Sequence, residues 1–592
     1  MQMDPHTFAR PDEVVVRHLE LDLTVDFEKK EIRGTADLHL ENKAQAKKLY
    51  LDTNGLIIER ITLDSQDGDA TFELGEPVRY LGRSLAISIQ PETRVVRVHY
   101  ATSPDALALQ WLDPAQTSDK KKPFLYTQSQ AILARSWIPC QDTPSVRSTY
   151  NARVQVPADL MAVMSAENPT SRNASGVYRF RMQHPIPTYL FALAVGDIEF
   201  RATSDRTGVY AEPSLVEKAA WEFAETPEMM KTVEKLYGPY RWGRYDVLVL
   251  PSSFPWGGME NPRLTFATPT LLAGDRSLVA TIAHELAHSW SGNLITNASW
   301  NDFWLNEGFT NYLTYRIMEE VYGEHYSRML AVLSFQDLQR EVREFGPKNP
   351  DTHLKYNLAG RDPEDGVTGI PYEKGEYFLR TIEATTGRDR WDAFLKEYFD
   401  RFAFQSLTTE QFLSYFNEKF IGTNQELGES LRIKDWVYGP GIPDNTARVE
   451  SDAFVKVDAV TRSWVEGKPA TELETKPWST QEWIHFLRHL PVSLDHQKMR
   501  ELDHAFHFEG RNAEIRNEWL VQVVAKKYEP GYPDIEKFLS SQGRRKYVRL
   551  IFTELVRTPE GRAMALRIYE KIRPFYHSVA RDTAEKVLSS RS

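Results

Sequence analysis

The chain has 592 residues, of which 41% are hydrophobic and 26% charged, and its net charge is −11. This length predicts about three or four domains. The negative charge argues against a general nucleic-acid binder and offers no attraction to an anionic lipid surface. The single cysteine, Cys140, excludes an internal disulfide and favours a reducing compartment. We expect Cys140 to be a small buried hydrophobic residue.

No stretch of the sequence is apolar enough for a membrane span, and the mean hydropathy is −0.48. The amino terminus, MQMDPHTFARPDE, lacks the basic region and apolar run of a signal peptide. We therefore expect a soluble, cytoplasmic monomer with neither membrane nor nucleic-acid partners, although a removed signal peptide would leave no trace.

Alternating hydrophobic residues characterise the first part of the chain. Leu19, Leu21 and Leu23 point to one side while the residues between them point to the other. Runs such as LAISIQ, RVVRVHY, NARVQVP and GVYRFRM repeat the pattern between Pro, Gly and Asn turns. Residues 1–200 are thus predicted to form a mainly β domain.

One segment of this region, QSQAILARSWIPCQDTPSVRSTY at residues 128–150, breaks the alternation. Its composition favours an ordinary long connection. The alternative is a loop that reaches a neighbouring domain.

Helical periodicity dominates residues 214–398, and residues 201–445 are predicted to form a second domain. A strand-like run, YDVLVLPSS at residues 245–253, leads into the glycine loop FPWGGMENPRLTF. Such a strand can form the edge of an active-site cleft, where an extended peptide adds as a further strand. The cluster WVYGPGIPDN indicates an exposed linker at residues 439–445. Amphipathic helices in an α-solenoid-like pattern follow over residues 446–592.

A metal site is predicted in the second domain. His284 and His288 stand four apart in SLVATIAHELAHSW, so on a helix both imidazoles project from one face as ligands of one zinc ion. We expect this helix to end after Gly292. Glu285 lies beside the metal and is the candidate general base. We expect Glu307 to be the third ligand, on a second helix predicted from about Asp302 to Gly323. Three protein ligands leave the fourth position of a tetrahedral zinc ion open for water.

Chance has to be weighed against this interpretation. A helical histidine is usually a satisfied surface or core residue, and two histidines with a glutamate recur in unrelated chains. The spacing to Glu307 is that of the glutamate-zinc peptidases, which makes coincidence a much weaker explanation.

These motifs resemble the zinc aminopeptidase family of aminopeptidase N and leukotriene A-4 hydrolase. The resemblance rests on GGMEN at residues 257–261, HELAH and LNE, and it extends over the whole chain. QSQAI, PCQDTPS, IPYEKG and the carboxy-terminal helices are similar to the leukotriene A-4 hydrolase branch. The resemblance implies a multidomain α+β fold with an amino-terminal β saddle, a thermolysin-like catalytic domain and a carboxy-terminal α-helical, solenoid-like domain.

The resemblance also implies an aminopeptidase that uses one zinc ion and acts on short peptides. Glu260 matches the family's anionic group for the substrate ammonium, and Gln130 matches a residue that supports the same end of the peptide. Tyr372 in IPYEKG matches a hydroxyl donor that stabilises the oxyanion. The substrate loop comprises Gly257, Gly258, Met259, Glu260 and Asn261.

Two basic residues in GRRKYVRLIF, Arg544 and Lys546, match positions that face the substrate's carboxylate in the leukotriene A-4 hydrolase branch. Basic residues on a solenoid helix are otherwise usually solvated. If the match holds, short peptides with free carboxylates are the preferred substrates. Trp256, beside the glycine loop, is a candidate wall of the pocket for the first side chain.

The sequence departs from the family at Val367, where leukotriene-hydrolysing members have an additional tyrosine five residues before the oxyanion tyrosine. This puts fatty-epoxide hydrolysis in doubt. Three hypotheses remain: an aminopeptidase, which we favour, an epoxide hydrolase of leukotriene type that uses the same zinc, and a non-catalytic binding protein.

Overall fold

A computed structural model describes residues 4–64 and 68–590 of the chain. Met1, Gln2 and Met3 of the amino-terminal stretch considered above lie outside the described residues. None of the helices found within these two ranges combines the length and hydrophobicity needed to cross a bilayer.

The amino-terminal region consists of β-strands. They are β1 (Val14–Asp26), β2 (Glu31–Asn42), β3 (Lys48–Thr53), β4 (Ile57–Leu63), β5 (Phe72–Leu74), β6 (Arg83–Ser88), β7 (Val95–Ala101), β8 (Leu109–Leu112), β9 (Phe124–Thr127), β10 (Ser148–Gln155), β11 (Met161–Met164), β12 (Val177–Ile186) and β13 (Leu193–Gly196).

These strands form three sheets. Their orders are β12-β10-β1-β2-β7-β4, β11-β13-β9-β8 and β3-β6-β5. The predicted alternation is confirmed in β1, where Leu19, Leu21 and Leu23 are buried and the residues between them are more exposed. The inward-facing side chains of these strands belong to one continuous core with the next region.

The central region mixes strands and helices. Its strands are β14 (Glu199–Ala202), β15 (Thr207–Ala211), β16 (Tyr245–Val249), β17 (Gly258–Met259), β18 (Leu264–Ala267), β19 (Ile295–Asn297) and β20 (Gln405–Leu407). Its helices are α1 (Val216–Glu222), α2 (Thr226–Tyr237), α3 (Ala280–Ala287), α4 (Trp304–Tyr322), α5 (Glu324–Phe345), α6 (Gly375–Thr386), α7 (Arg388–Arg401), α8 (Thr409–Phe416), α9 (Gln425–Leu431) and α10 (Ile433–Tyr438).

The sheet of this region corrects one prediction. Its order is β14-β15-β16-β18-β17, so β16, the strand-like run expected at the edge of the cleft, is the central strand. The edge strand is β17, which the glycine loop itself supplies. All five residues of β16 are buried, as a strand with neighbours on both sides requires.

The carboxy-terminal region is helical, as predicted. It contains α11 (Asp452–Val465), α12 (Thr480–Arg488), α13 (His496–Phe506), α14 (Ala513–Ala525), α15 (Tyr532–Ser541), α16 (Arg545–Leu555), α17 (Pro559–Ile572) and α18 (Ser578–Ser589). The helices α12, α14, α16 and α18 pack successively against one another, which is the layered arrangement of a solenoid.

The connection at residues 439–445 is less exposed than predicted. Gly441 and Pro443 are buried, and the amide of Gly441 donates to Thr352 Oγ1 at 2.8 Å. The buried ammonium of Lys374 donates to the carbonyl oxygens of Gly439 and Thr352 at 2.8 and 2.7 Å. These hydrogen bonds hold the connection against the central region.

Candidate active site

The three predicted metal ligands converge. His284 Nε2 and His288 Nε2 are 3.1 Å apart, and each lies 3.4 Å from Glu307 Oε2. The first helix is shorter than predicted, because α3 ends at Ala287 and not after Gly292. His288 keeps right-handed helical dihedrals at the helix end, so its imidazole still shares a face with that of His284.

These distances suit a zinc ion. Ligand atoms about 2.0–2.1 Å from a tetrahedral zinc lie about 3.3 Å from one another. Glu307 Oε2 is buried and has no hydrogen-bond partner among the described residues, as expected of an atom reserved for a cation. Although burial disfavours its charged form, His288 and His284 lower the pKa of Glu307 to about 2. The triad thus fits a zinc ion.

A tight turn fixes the second histidine. His288 Nδ1 lies 2.9 Å from the carbonyl oxygen of Ser291 and 3.1 Å from Thr310 Oγ1, which orients Nε2 toward the other ligands. Gly292 allows the turn because it has φ +113°, and a Cβ there would lie 2.6 Å from His288 Nδ1. A larger residue at this position would displace the ligand.

Glu285 is buried beside the triad without joining it. Its Oε2 has no hydrogen-bond partner among the described residues. A Cβ on Gly258 would lie 2.4 Å from Glu285 Oε1, so the edge strand packs its backbone directly against this carboxyl group. Burial, together with the nearby carboxylates of Glu260 and Glu307, raises the pKa of Glu285 well above its usual range. A buried carboxyl with a raised pKa is suited to proton transfer.

Tyr372 lies in a π-helical turn, Ile370–Lys374, that leads into α6. Its ring stacks near that of His284, with centroids 6.1 Å apart. Burial and the carboxylates of Glu307 and Glu260 raise the pKa of Tyr372 well above its ordinary value, so the hydroxyl keeps its proton and can donate it in a hydrogen bond.

Two glycines bring Tyr372 to the predicted metal ligands. Gly308 follows Glu307 in α4, and Gly375 begins α6. A Cβ on either one would lie 2.7 Å from the Cα of the other, so the two backbones touch at this crossing. This contact was not predicted. The sequence indicates it only through a glycine in each of two helical stretches.

The predicted amine-binding residues also reach the site. Glu260 and Gln130 are buried, and Oε1 of each has no hydrogen-bond partner among the described residues. The amide of Ala131 donates to Glu364 Oε1 at 2.9 Å, which fixes the chain beside Gln130 to the central region. The segment at residues 128–150, whose last three residues already belong to β10, therefore contains a loop delivered to the neighbouring region, and the ordinary connection favoured by composition is wrong.

The two predicted cations come from the carboxy-terminal region. Arg544 is buried, and its Nη1 donates to Glu514 Oε1 at 2.9 Å. Lys546 Nζ donates to the other oxygen, Glu514 Oε2, at 2.7 Å. Although burial favours the neutral acid, Lys546 and Arg544 lower the pKa of Glu514 to about 2. Sequence reasoning missed Glu514, because it lies 30 residues before Arg544 on another helix.

A single cleft of about 360 Å³ joins these groups. Trp256 borders it as predicted, whereas Asn261 lies outside its lining. Residues of α4 that were not predicted also line it. They lie at helical spacing from Glu307, and that spacing could have identified them from the sequence. The lining residues are Gln130, Trp256, Gly257, Gly258, Met259, Glu260, Ala280, Thr281, His284, Glu285, His288, Glu307, Asn311, Thr314, Tyr315, Leu330, Tyr372, Glu373, Arg544 and Lys546.

Val367 belongs to a different cavity, of about 670 Å³, between the three regions. Its carbonyl oxygen accepts a hydrogen bond from Arg545 Nη1 at 2.9 Å. Arg545 also lies over the Trp256 ring, 5.3 Å from its centroid. Arg545 and Trp256 thus separate this cavity from the metal cleft.

Comparison with known proteins agrees with this geometry. The peptidase family M1 domain matches residues 221–436, the peptidase M1 N-terminal domain residues 15–190, and the leukotriene A4 hydrolase C-terminal domain residues 478–588. The leukotriene A-4 hydrolase of Xenopus laevis is 38% identical over 604 residues, covering 97% of each chain. The chain belongs to peptidase family M1. This M1 enzyme is therefore a metallohydrolase, and zinc is its cofactor.

Another relative of this M1 peptidase carries a different name, and solved structures share its fold. Leucine aminopeptidase 2 of Pyricularia oryzae is 37% identical, with 99% of this chain and 98% of the relative covered. The structure of yeast LTA4 hydrolase in complex with bestatin superposes with a TM-score of 0.91 at 33% identity, covering 100% and 98% of the two chains. An M1 zinc metallopeptidase of Deinococcus radiodurans, 23% identical with a TM-score of 0.60, shares the fold over 76% of this chain and 100% of its own.

Proposed function

We propose that this M1 enzyme is an aminopeptidase that removes the first residue from short peptides. One observation carries the proposal: Glu260 and Gln130, which line the same cleft as the metal triad, each have a buried acceptor oxygen that lacks a hydrogen-bond partner within residues 4–64 and 68–590. Buried acceptors without donors are costly, and a substrate ammonium supplies the missing donors. An ammonium held there places the first peptide bond beside the metal ligands.

His284, His288 and Glu307 would hold the zinc ion. When bound there, zinc supplies Lewis-acid chemistry, which polarises a carbonyl and acidifies a water molecule. With the ion held there, Glu285 would favour its carboxylate form, although burial favours the neutral acid.

The remaining steps belong to side chains of this protein. Glu285 takes a proton from the attacking water as the water oxygen bonds to the carbonyl carbon. Tyr372 donates a hydrogen bond to the developing oxyanion, for which its retained proton suits it. The carbon–nitrogen bond then breaks, and Glu285 passes its proton to the leaving amine.

The same cleft also suits a carboxylate. Arg544 and Lys546 carry two positive charges against the one negative charge of Glu514, which leaves a net positive charge facing the substrate. We expect short peptides with free carboxylates to be bound by these cations as well as by the acceptors for the ammonium. We further propose that the enzyme is a cytoplasmic monomer with domains at residues 1–200, 201–445 and 446–592.

Release of a chromophore from a panel of aminoacyl anilides tests the proposal. We expect turnover that is lost when the amine is blocked, when the metal is chelated, or in Glu285→Gln. The panel also ranks the side chains accepted at the first position. If zinc-containing protein cleaves neither anilides nor short peptides, the proposal fails.

Leukotriene-type epoxide hydrolysis remains the second candidate, because relatives bear both names. Val367 stands where the leukotriene-hydrolysing members have a tyrosine, which argues against it. Turnover of a lipid epoxide without peptide turnover would reverse the ranking.

A further inference from the structure

Glu514 connects the two cations of the cleft, although it does not itself line the cleft. It extends from the first turn of α14 and is buried. One of its oxygens accepts from Arg544 and the other from Lys546, at 2.9 and 2.7 Å. The Tyr547 hydroxyl donates to Glu514 Oε1 at 2.9 Å and accepts from Arg544 Nη1 at 2.7 Å. Glu514 is thus the shared acceptor of three donors.

This arrangement leaves one edge of the guanidinium available. Glu514 and Tyr547 occupy Nη1, whereas Arg544 Nε is buried and has no partner among the described residues. Nη2 faces the glycine loop, since a Cβ on Gly257 would lie 2.8 Å from it. The pair Nε and Nη2 is one of the two edges through which a guanidinium binds a carboxylate with two parallel hydrogen bonds.

We propose that Glu514 is a positioning residue that determines the selection of peptides with a free carboxylate. It holds Nη1 of Arg544 away from the substrate, so that the Nε and Nη2 edge faces the cleft. It also restrains the Lys546 ammonium, whose side chain is 42% exposed and would otherwise move freely in solvent. This inference rests on the proposed aminopeptidase function.

Simple electrostatics makes the opposite prediction. Replacing Glu514 by Gln removes one negative charge beside the two cations, and Coulomb attraction for an anionic substrate would increase. The positioning role predicts a weaker selection of the carboxylate, because an amide presents an NH₂ donor to one of the two cations. The sign of the change therefore separates the two explanations.

The experiment compares one tripeptide as its free acid and as its carboxy-terminal amide, with kcat and KM measured for each. We expect wild type to prefer the acid and Glu514→Gln to lower the acid-to-amide ratio of kcat/KM about tenfold, chiefly through KM. Tyr547→Phe, which removes one partner of Arg544, should lower the ratio less. The ratio cancels any uniform loss of folded or zinc-loaded enzyme.

Glu518→Gln is the matched control. Glu518 lies one turn further along α14 and pairs with Arg488 at 2.9 Å, outside the cleft, so its loss should leave the ratio unchanged. If wild type prefers the acid but Glu514→Gln keeps or raises that preference, the inference is wrong. If wild type cleaves both peptides equally, the proposed carboxylate site is wrong. If it cleaves neither peptide, the proposed aminopeptidase function is wrong as well.

Discussion

The backbone contact between Gly308 and Gly375 should control catalysis without contributing any polar group. A Cβ added by Gly308→Ala would lie 2.7 Å from Gly375 Cα and 3.1 Å from the Pro371 carbonyl oxygen. Carbon atoms pack at about 3.5–4.0 Å, so α4 and α6 would have to separate by about 1 Å. That separation moves Tyr372 away from Glu307 and the metal.

A displacement of about 1 Å can cost about 100-fold in rate, or about 2.7 kcal/mol in the activation barrier. We expect Gly308→Ala to lower kcat/KM on an aminoacyl anilide by this factor. The free energy of unfolding, measured by thermal denaturation, should fall by no more than about 1–3 kcal/mol from overpacking. Gly428→Ala is the control, since a Cβ there would meet only Ile421 Cγ2, at an ordinary 3.5 Å. Activity within about twofold of wild type in Gly308→Ala would refute the assignment of this contact as the determinant of Tyr372 placement.

Four further outcomes are expected. Glu285→Gln should lower kcat by about 10²–10⁴-fold with zinc content unchanged by metal analysis, since the carboxylate acts as base and not as ligand. Tyr372→Phe should lower kcat by about 10²–10³-fold in steady-state assays, through loss of one oxyanion donor; an unchanged kcat would exclude that role. Glu260→Gln should raise KM about tenfold or more, because the ammonium loses its charged partner. Chelation should abolish activity and lower the melting temperature, and added zinc should restore both. The reason is that the predicted ligands, His284 among them, are brought together only in the folded protein.

Local patterns made much of the fold predictable. A period of two residues identified β1, because a strand exposes alternate side chains to one face. The spacing of His284 and His288 predicted that both imidazoles share one helical face, and that depends only on helix geometry. The extent of α3 was not predictable in the same way: it ends at Ala287, because the chain turns through Gly292 to orient His288.

Sheet order and domain contacts were beyond local patterns. The run at β16 has the composition of a strand wherever it lies, and only pairing with β15 and β18 makes it central. The same applies to residues 128–150, whose sequence fits an ordinary connection until the bond from Ala131 to Glu364 shows where it docks. Such pairings join residues far apart in the chain, so no periodicity reports them.

The sequence by itself predicted the candidate donor set His284, His288 and Glu307, the candidate base Glu285, and the order of a β, a mixed and a helical region. Short-range geometry suffices for these features. Only the tertiary structure decided how the parts meet, including the glycine crossing that positions Tyr372 and the Glu514 carboxylate that holds two cations from another helix. These contacts depend on packing between distant segments, which is set by the whole core and not by any one stretch of sequence.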